Sequence, residues 1–285
     1  MASTNARPAL PTDDITLIPE PTSVTLFHEK ICLPIAGTIG YVGPKTNDGS
    51  QAESMLAYEV AESIEERTAL RWDCTQGDGW NAFIRLIVDD SLSARTYTVH
   101  IERSADPTVT VRGADTEALR YGVQTLRQII RQCAPTLPCL HIEDKPAFTV
   151  RSYSLDVTRG RVPTMRWLKH WADKLSLYKY NQLQLYVEHS FAFDELSETW
   201  RGVSPLKPTD IQEFDDYCRR RGIELVPLAL DLRPPLHEPT HTYHARIGRI
   251  PWRRRTPLQF HRTPGASYPQ YNHARSIRIL HTHHR

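Results

Sequence analysis

Between residues 146 and 227 the apolar pattern switches back and forth between strand and helix spacing, in the order strand, helix, strand, helix, strand. Residues 150–157 read as a strand, with Arg151 near its start and Asp156 near its carboxyl end. Thr164 then opens a helix in which Leu168, Trp171, Ala172, Leu175 and Tyr178 share one face, and Asn181 ends it. Residues 182–187 form the second strand and deliver Glu188 and His189 just beyond its end. Thr209 with Gln212 reads as a capping box, Ile211, Phe214 and Cys218 as an apolar stripe, and Gly222 as the stop before a strand over 223–227. Short connections between such elements mean parallel pairing with helical crossovers. Three strands of this kind cannot bury both faces of a sheet or close a barrel, which takes eight strands and about 250 residues.

From residue 228 the pattern collapses. Residues 231–285 hold ten Arg, no Lys, eight His, seven Pro and only two acids, Asp231 and Glu238. The chain before them carries 25 bases against 31 acids, so the net charge of +2 joins a mildly acidic part to a strongly basic one. With no apolar periodicity, 228–285 is expected to be a disordered tail.

The region ahead of the alternating stretch reads as a small mixed α/β domain over 14–145. Residues 15–42 are strand-like and interrupted by Pro; Leu56, Val60 and Ile64 then recur at helical spacing. Strand candidates follow at 83–88, at Tyr97, Val99 and Ile101, and at Val109 and Val111. Gly113 closes the last of these, Asp115 is placed to cap a helix, and Leu119, Val123, Leu126 and Ile130 line one face of that helix. The adjacent carboxylates Glu65-Glu66 and Asp89-Asp90 point different ways on any regular element and carry no chemistry.

No stretch reaches the roughly 18 apolar residues of a membrane span, and residues 1–14 have no signal-peptide core. A cytoplasmic protein without membrane association is expected. Five widely spaced cysteines, Cys32, Cys74, Cys133, Cys139 and Cys218, with no Cys-x-x-Cys pair, indicate reduced and mostly buried thiols; neither a disulfide framework nor a metal site is expected, and no cofactor.

Several segments in order carry a family resemblance: Asp144-Lys145-Pro146-Ala147-Phe148, Arg151, Leu155-Asp156-Val157-Thr158-Arg159, Lys179-Tyr180-Asn181, and Leu183-Gln184-Leu185-Tyr186-Val187-Glu188-His189. They resemble the opening of the catalytic barrel of family-20 glycoside hydrolases, the β-N-acetylhexosaminidases. The helix from Gly113 through Gln128 resembles the last helix of the small domain preceding that barrel. The resemblance spans about residues 14–227 and implies the first three strands of an incomplete (β/α)8 barrel over 146–227. It further implies a glycan with a terminal N-acetylhexosamine as partner, and retaining hydrolysis in which the substrate's acetamido oxygen replaces an enzyme nucleophile. Arg151 would bind sugar hydroxyls, its guanidinium fork suiting paired oxygens; a buried ion pair is the plainer reading. Glu188 and His189 match the acidic end of the second strand loosely, since relatives often show two aspartates there, and a lone His after a strand is commonly a packing residue.

In the resembling family an Asp-Glu pair after the fourth strand does the chemistry, and the third strand runs into a segment supplying an active-site His. Here that place holds Ala229-Leu230-Asp231-Leu232-Arg233-Pro234-Pro235-Leu236, which is what the family's codons give when read in a shifted frame; Arg246-Ile247-Gly248-Arg249-Ile250-Pro251 behaves alike. A frameshift near codon 228 and a truncated, inactive hexosaminidase are therefore expected, with no catalytic residue assigned. Asp231 and Glu238 sit in a Pro-rich stretch that cannot hold two carboxyls at the separation glycoside chemistry needs. The alternative is a noncatalytic polyanion binder through Trp252-Arg253-Arg254-Arg255 and the other arginines, nonspecific and salt-sensitive. Nucleic acid is not the expected partner, because out-of-frame GC-rich codons also yield Arg, Pro and His. A remnant that binds sugar through Arg151 without cleaving it is a third reading. Oligomeric state is left open.

Overall fold

A computed structural model describes residues 15–42, 52–77, 81–104, 108–187, 190–192, 200, 202 and 204–229. Glu188, His189, Asp231, Glu238 and the stretch 230–285, with its expected disorder and frameshift, lie outside the described residues. The chain divides between Ala147 and Phe148 into two compact units.

The first unit is a seven-stranded mixed sheet with two helices on one face. Its strands are β1 (Ser23–Cys32), β2 (Thr38–Val42), β3 (Asp73–Gln76), β4 (Ile84–Val88), β5 (Tyr97–Glu102), β6 (Thr108–Gly113) and β7 (Thr136–Asp144), in the order β1-β7-β5-β6-β4-β2-β3. Helix α1 (Ala52–Thr68) buries Leu56, Val60 and Ile64; α2 (Thr116–Cys133) buries Leu119, Val123, Leu126 and Ile130. These stripes meet Val99, Ile101, Val109 and Val111 in one core. Asp115 caps α2, its carboxylate accepting from the Ala118 N–H at 2.7 Å. Gly113 is required by close approach: a Cβ there would stand 2.1 Å from the Leu119 nitrogen, so α2 starts directly on the end of β6.

Strands β3 and β7 depart from the sequence expectation. The run Leu137-Pro138-Cys139-Leu140 is buried almost throughout instead of alternating, and its Pro138 reads as a break. Yet β7 lies inside the sheet, antiparallel to both β1 and β5. The cysteines are free thiols, of which Cys139 and Cys218 are buried, Cys74 and Cys133 half-buried and Cys32 exposed.

The second unit is a parallel sheet, β10-β9-β8, of β8 (Ser152–Asp156), β9 (Gln182–Val187) and β10 (Glu224–Ala229), with helices α3 (Met165–Leu177) and α4 (Pro208–Arg220). Leu168, Ala172 and Leu175 of α3 and Ile211, Phe214 and Cys218 of α4 pack on Leu183, Leu185 and Val187 of β9. Two boundaries move. Helix α3 ends at Leu177, Lys179 takes φ 63°, and Asn181 belongs to the entry of β9. Helix α4 starts at Pro208, whose missing N–H costs nothing in a first turn. Its cap is the Asp210 carboxylate accepting from the Lys207 N–H at 2.8 Å, which leaves Thr209 inside the helix. The sheet face turned away from the helices is polar on β8 and β9: Ser152 pairs with Gln182, Ser154 with Gln184 and Asp156 with Tyr186. No helix among the described residues is long and apolar enough to cross a membrane.

Candidate functional site at the carboxyl ends of the parallel strands

In parallel βα sheets, ligands meet the carboxyl ends of the strands, where loops are free to vary. At that end of β8 the chain turns on Asp156. Its Oδ1 accepts from the Thr158 N–H at 2.9 Å, the Thr158 hydroxyl at 2.8 Å and the Arg159 N–H at 3.2 Å. Its Oδ2 faces the Arg159 guanidinium at 3.2 Å. Burial pushes the Asp156 carboxyl up, but these hydrogen bonds and the Arg159 charge outweigh it and hold the group below the usual carboxylate range. Asp156 is therefore a fixed anion that orients its neighbours, and near neutral pH it carries no proton to donate.

Arg159 is the exposed partner. Its side chain is 77% exposed, and its guanidinium also lies 5.5 Å from the centroid of the Tyr186 ring at the end of β9. A planar fork held between a carboxylate and an aromatic face can present its remaining N–H donors to paired hydroxyls, and the ring offers an apolar surface. Asp156 and Arg159 stand in the motif that carries the resemblance, yet neither was singled out from sequence. The available signal was an Asp followed by Thr and Arg just past a strand, the pattern of a side-chain-capped turn.

Of the residues assigned to the sugar, Arg151 lies at the opposite, amino end of β8. Its Nε donates to the Lys179 carbonyl at 2.8 Å and its Nη1 to the Phe148 carbonyl at 2.6 Å. Its own N–H donates to Asn181 Oδ1 at 2.8 Å, and its carbonyl accepts from the Asn181 N–H at 3.1 Å. These contacts join the start of β8 to the loop entering β9. Two backbone carbonyls thus hold this guanidinium. Glu188 and His189 directly follow β9 in sequence and lie outside the described residues.

Comparison with known proteins bears on this geometry. Residues 14–145 match the family described as glycosyl hydrolase family 20, domain 2. Comparison with curated proteins gives no match. Among solved structures, the N-acetyl-β-hexosaminidase of Streptomyces plicatus is 24% identical with a TM-score of 0.61, and the family-20 β-N-acetylhexosaminidase of Streptomyces coelicolor A3(2) 25% identical with a TM-score of 0.61; each match covers 74% of this chain and 45% of the other. The exo-β-N-acetylglucosaminidase of Vibrio harveyi, solved with N-acetylglucosamine, is 15% identical over 74% of this chain and 35% of its own, with a TM-score of 0.59. The chain thus spans less than half the length of these structures. Residues 14–145 match domain 2 of glycosyl hydrolase family 20, and the described chain has the fold of part of the β-N-acetylhexosaminidases to which it is similar.

Proposed function

We propose that this chain is part of a β-N-acetylhexosaminidase directed at glycans ending in N-acetylhexosamine, and that the 285-residue polypeptide is itself inactive. The observation that carries the reading is the succession of a family-20 domain 2 by three parallel strands whose carboxyl ends present a fixed carboxylate and an exposed guanidinium. In a retaining, substrate-assisted reaction the acetamido oxygen closes on the anomeric carbon while an acid protonates the leaving oxygen. Asp156, Arg159 and Tyr186 supply orientation at the strand ends, and Glu188 and His189 follow β9 in sequence. Arg151 serves the sugar only if it leaves the Phe148 and Lys179 carbonyls.

Neither Asp156, held ionised, nor Arg159 is a general acid, and an Asp-Glu pair beyond a fourth strand has no counterpart among the described residues. Two measurements test the proposal. Purified 285-residue protein should release no nitrophenol from a nitrophenyl N-acetyl-β-glucosaminide; steady release overturns the inactivity. The gene read in the shifted frame after codon 228 should continue into further strand and helix units with an Asp-Glu pair, and a stop codon or a patternless sequence there would refute the truncated-enzyme reading.

A further inference from the structure

A strand at the rim of a sheet carries a row of backbone N–H and C=O groups with no partner strand, and folded chains blunt such rims with charges, Pro or bulges. The first unit does so at β1, where His28, Glu29 and Lys30 accompany an irregularity of register between Leu26 and Lys30. Strand β8, at the rim of the parallel sheet, has no such device in Ser152-Tyr153-Ser154-Leu155. The Arg151 carbonyl accepts from the Asn181 and Gln182 N–H groups, and the Val157 N–H donates to the Tyr186 carbonyl. Alternation therefore turns the backbone groups of Ser152, Ser154 and Asp156 outward, where no strand meets them among the described residues.

The helix beside that rim is apolar on the same side. Lys169 and Asp173 of α3 meet Glu213 and Tyr217 of α4, which marks the flank of α3 nearest α4. Trp167 and Trp171 each lie two positions from Lys169, about 200° round the helix, and so stand on the opposite flank. Their rings stack within 5° of parallel with centroids 5.4 Å apart. Tyr153 of β8 meets Trp171 at 5.3 Å, and Tyr180 meets Tyr153 at 6.3 Å. All four rings are only partly buried. The Trp171 Nε1–H is shut off from solvent with no acceptor among the described residues, although buried donors are nearly always matched.

We propose that the outer edge of β8 and this aromatic flank together form a docking surface for a polypeptide that adds a parallel strand to β8 and lays an apolar helix against Trp167 and Trp171. The inference rests on the truncated-enzyme reading above, which names the occupant: the βα units that make up the rest of the matched hexosaminidases, of whose length the match covers 45%. Supplied as a separate chain, those units complete the sheet noncovalently. Strand and helix are specified together, because parallel neighbours are joined by helical crossovers and the rings are the apolar cover such a helix needs. Main-chain hydrogen bonds to the open edge give affinity, and the side-chain contacts decide which strand is accepted.

Co-expression of the tagged 285-residue chain with the polypeptide that the gene encodes in the shifted frame after codon 228 tests this. The two should copurify as an equimolar complex. Ser154→Pro removes an outward N–H on an edge strand, where proline is tolerated, and Trp167→Gln removes one ring of the flank. Circular dichroism checks the fold of each, and where proline disturbs the sheet, Trp167→Gln decides. Each should weaken the complex about tenfold or more, the scale of losing an interface anchor. Failure to copurify, or a complex that the variants leave unchanged, overturns the assignment and leaves the truncated-enzyme reading standing; a shifted frame without strand and helix units overturns both. If Ser154→Pro instead abolishes self-association of the 285-residue chain alone, the occupant is a second copy and the assignment is likewise overturned.

Discussion

The two sheets bury their helix-facing sides in the same way and differ in everything around that. In the first unit, β4, β5, β6, β7 and β2 each have a neighbour on both sides, and α2 packs so tightly on β6 that a glycine is required. In the second, β9 alone is paired on both sides among the described residues, and its alternation of Gln182, Gln184 and Tyr186 with Leu183, Leu185 and Val187 leaves one face polar. A strand buried on both faces reads as a continuous apolar run. On β8 and β9 the alternation leaves little apolar surface on the face turned away from the helices, whereas β10 presents Val226 and Leu228 there. Burial is thus similar in kind and unequal in extent, and the units should lose structure separately.

The largest effect is expected from Gly113→Ala. The added Cβ would lie 2.1 Å from the Leu119 nitrogen and 2.5 Å from its Cα, and backbone atoms cannot rotate aside. A loss of at least about 3 kcal/mol, a large share of a typical domain's stability, should appear as fast amide exchange in β5 and β6. Protection in β9 should be retained. Equal loss in both sheets would show that the units are one cooperative body.

Phe214→Ala makes the converse test. Phe214 is fully buried between α4 and the parallel sheet, and its removal should cost about 3–5 kcal/mol. Exchange should rise in β8, β9 and β10 and stay slow in β5. Arg151→Ala is expected to cost about 2 kcal/mol in the second unit only, because two carbonyls lose a charged donor. Lysine at this position should restore little, since one ammonium cannot reproduce the fork. Unchanged protection in β8 would free Arg151 for another role, the sugar contact that the family resemblance implies.

These positions also show what sequence can and cannot reveal. The stripes of α1, α2, α3 and α4, the span of β9 and the parallel order follow from periodicity, because each depends on contacts repeated at 2 or 3.6 residues, and the Asp115 cap follows from one side chain's local hydrogen bond. Strand β7 was hidden because its two faces are both buried near Pro138, which removes the alternation. Helix α3 reads too long at its end because Tyr178 keeps the spacing of the stripe, although it is the cap residue just past the last helical position. Arg151 illustrates a different limit: motif order locates it on the strand, but only coordinates show which end of β8 it holds. Arg159 was legible as part of a motif and became distinctive once Tyr186 was seen beneath it.

The smallest expected effect separates two versions of one turn. In the first unit Asp89 follows β4 and accepts from the Ser91 hydroxyl at 2.6 Å and from Arg112 of β6 at 2.9 Å. In the second, Asp156 accepts from Thr158 and faces Arg159, which is more exposed than Arg112. Hydrogen bonding to Ser91 leads the causes that hold Asp89 low despite burial; for Asp156, burial is the largest single cause and is outweighed by the several bonds. Both folded carboxyls thus titrate below the unfolded value of about 3.9. Their stabilisation is complete above that value and is lost as pH falls from there through the lower folded pKa. Asparagine keeps one acceptor oxygen and removes the charge, so Asp89→Asn and Asp156→Asn should each cost less than about 1 kcal/mol at pH 7, these carboxylates being partly open to solvent. Each should also flatten the acid limb of its own unit, and Asp89→Asn should do so more, because its arginine is anchored on a neighbouring strand. Urea midpoints followed by exchange in β4 and β8 from pH 6 down to pH 3 would show this; equal acid slopes in variant and parent would mean that backbone packing, not the carboxylate, holds the turn.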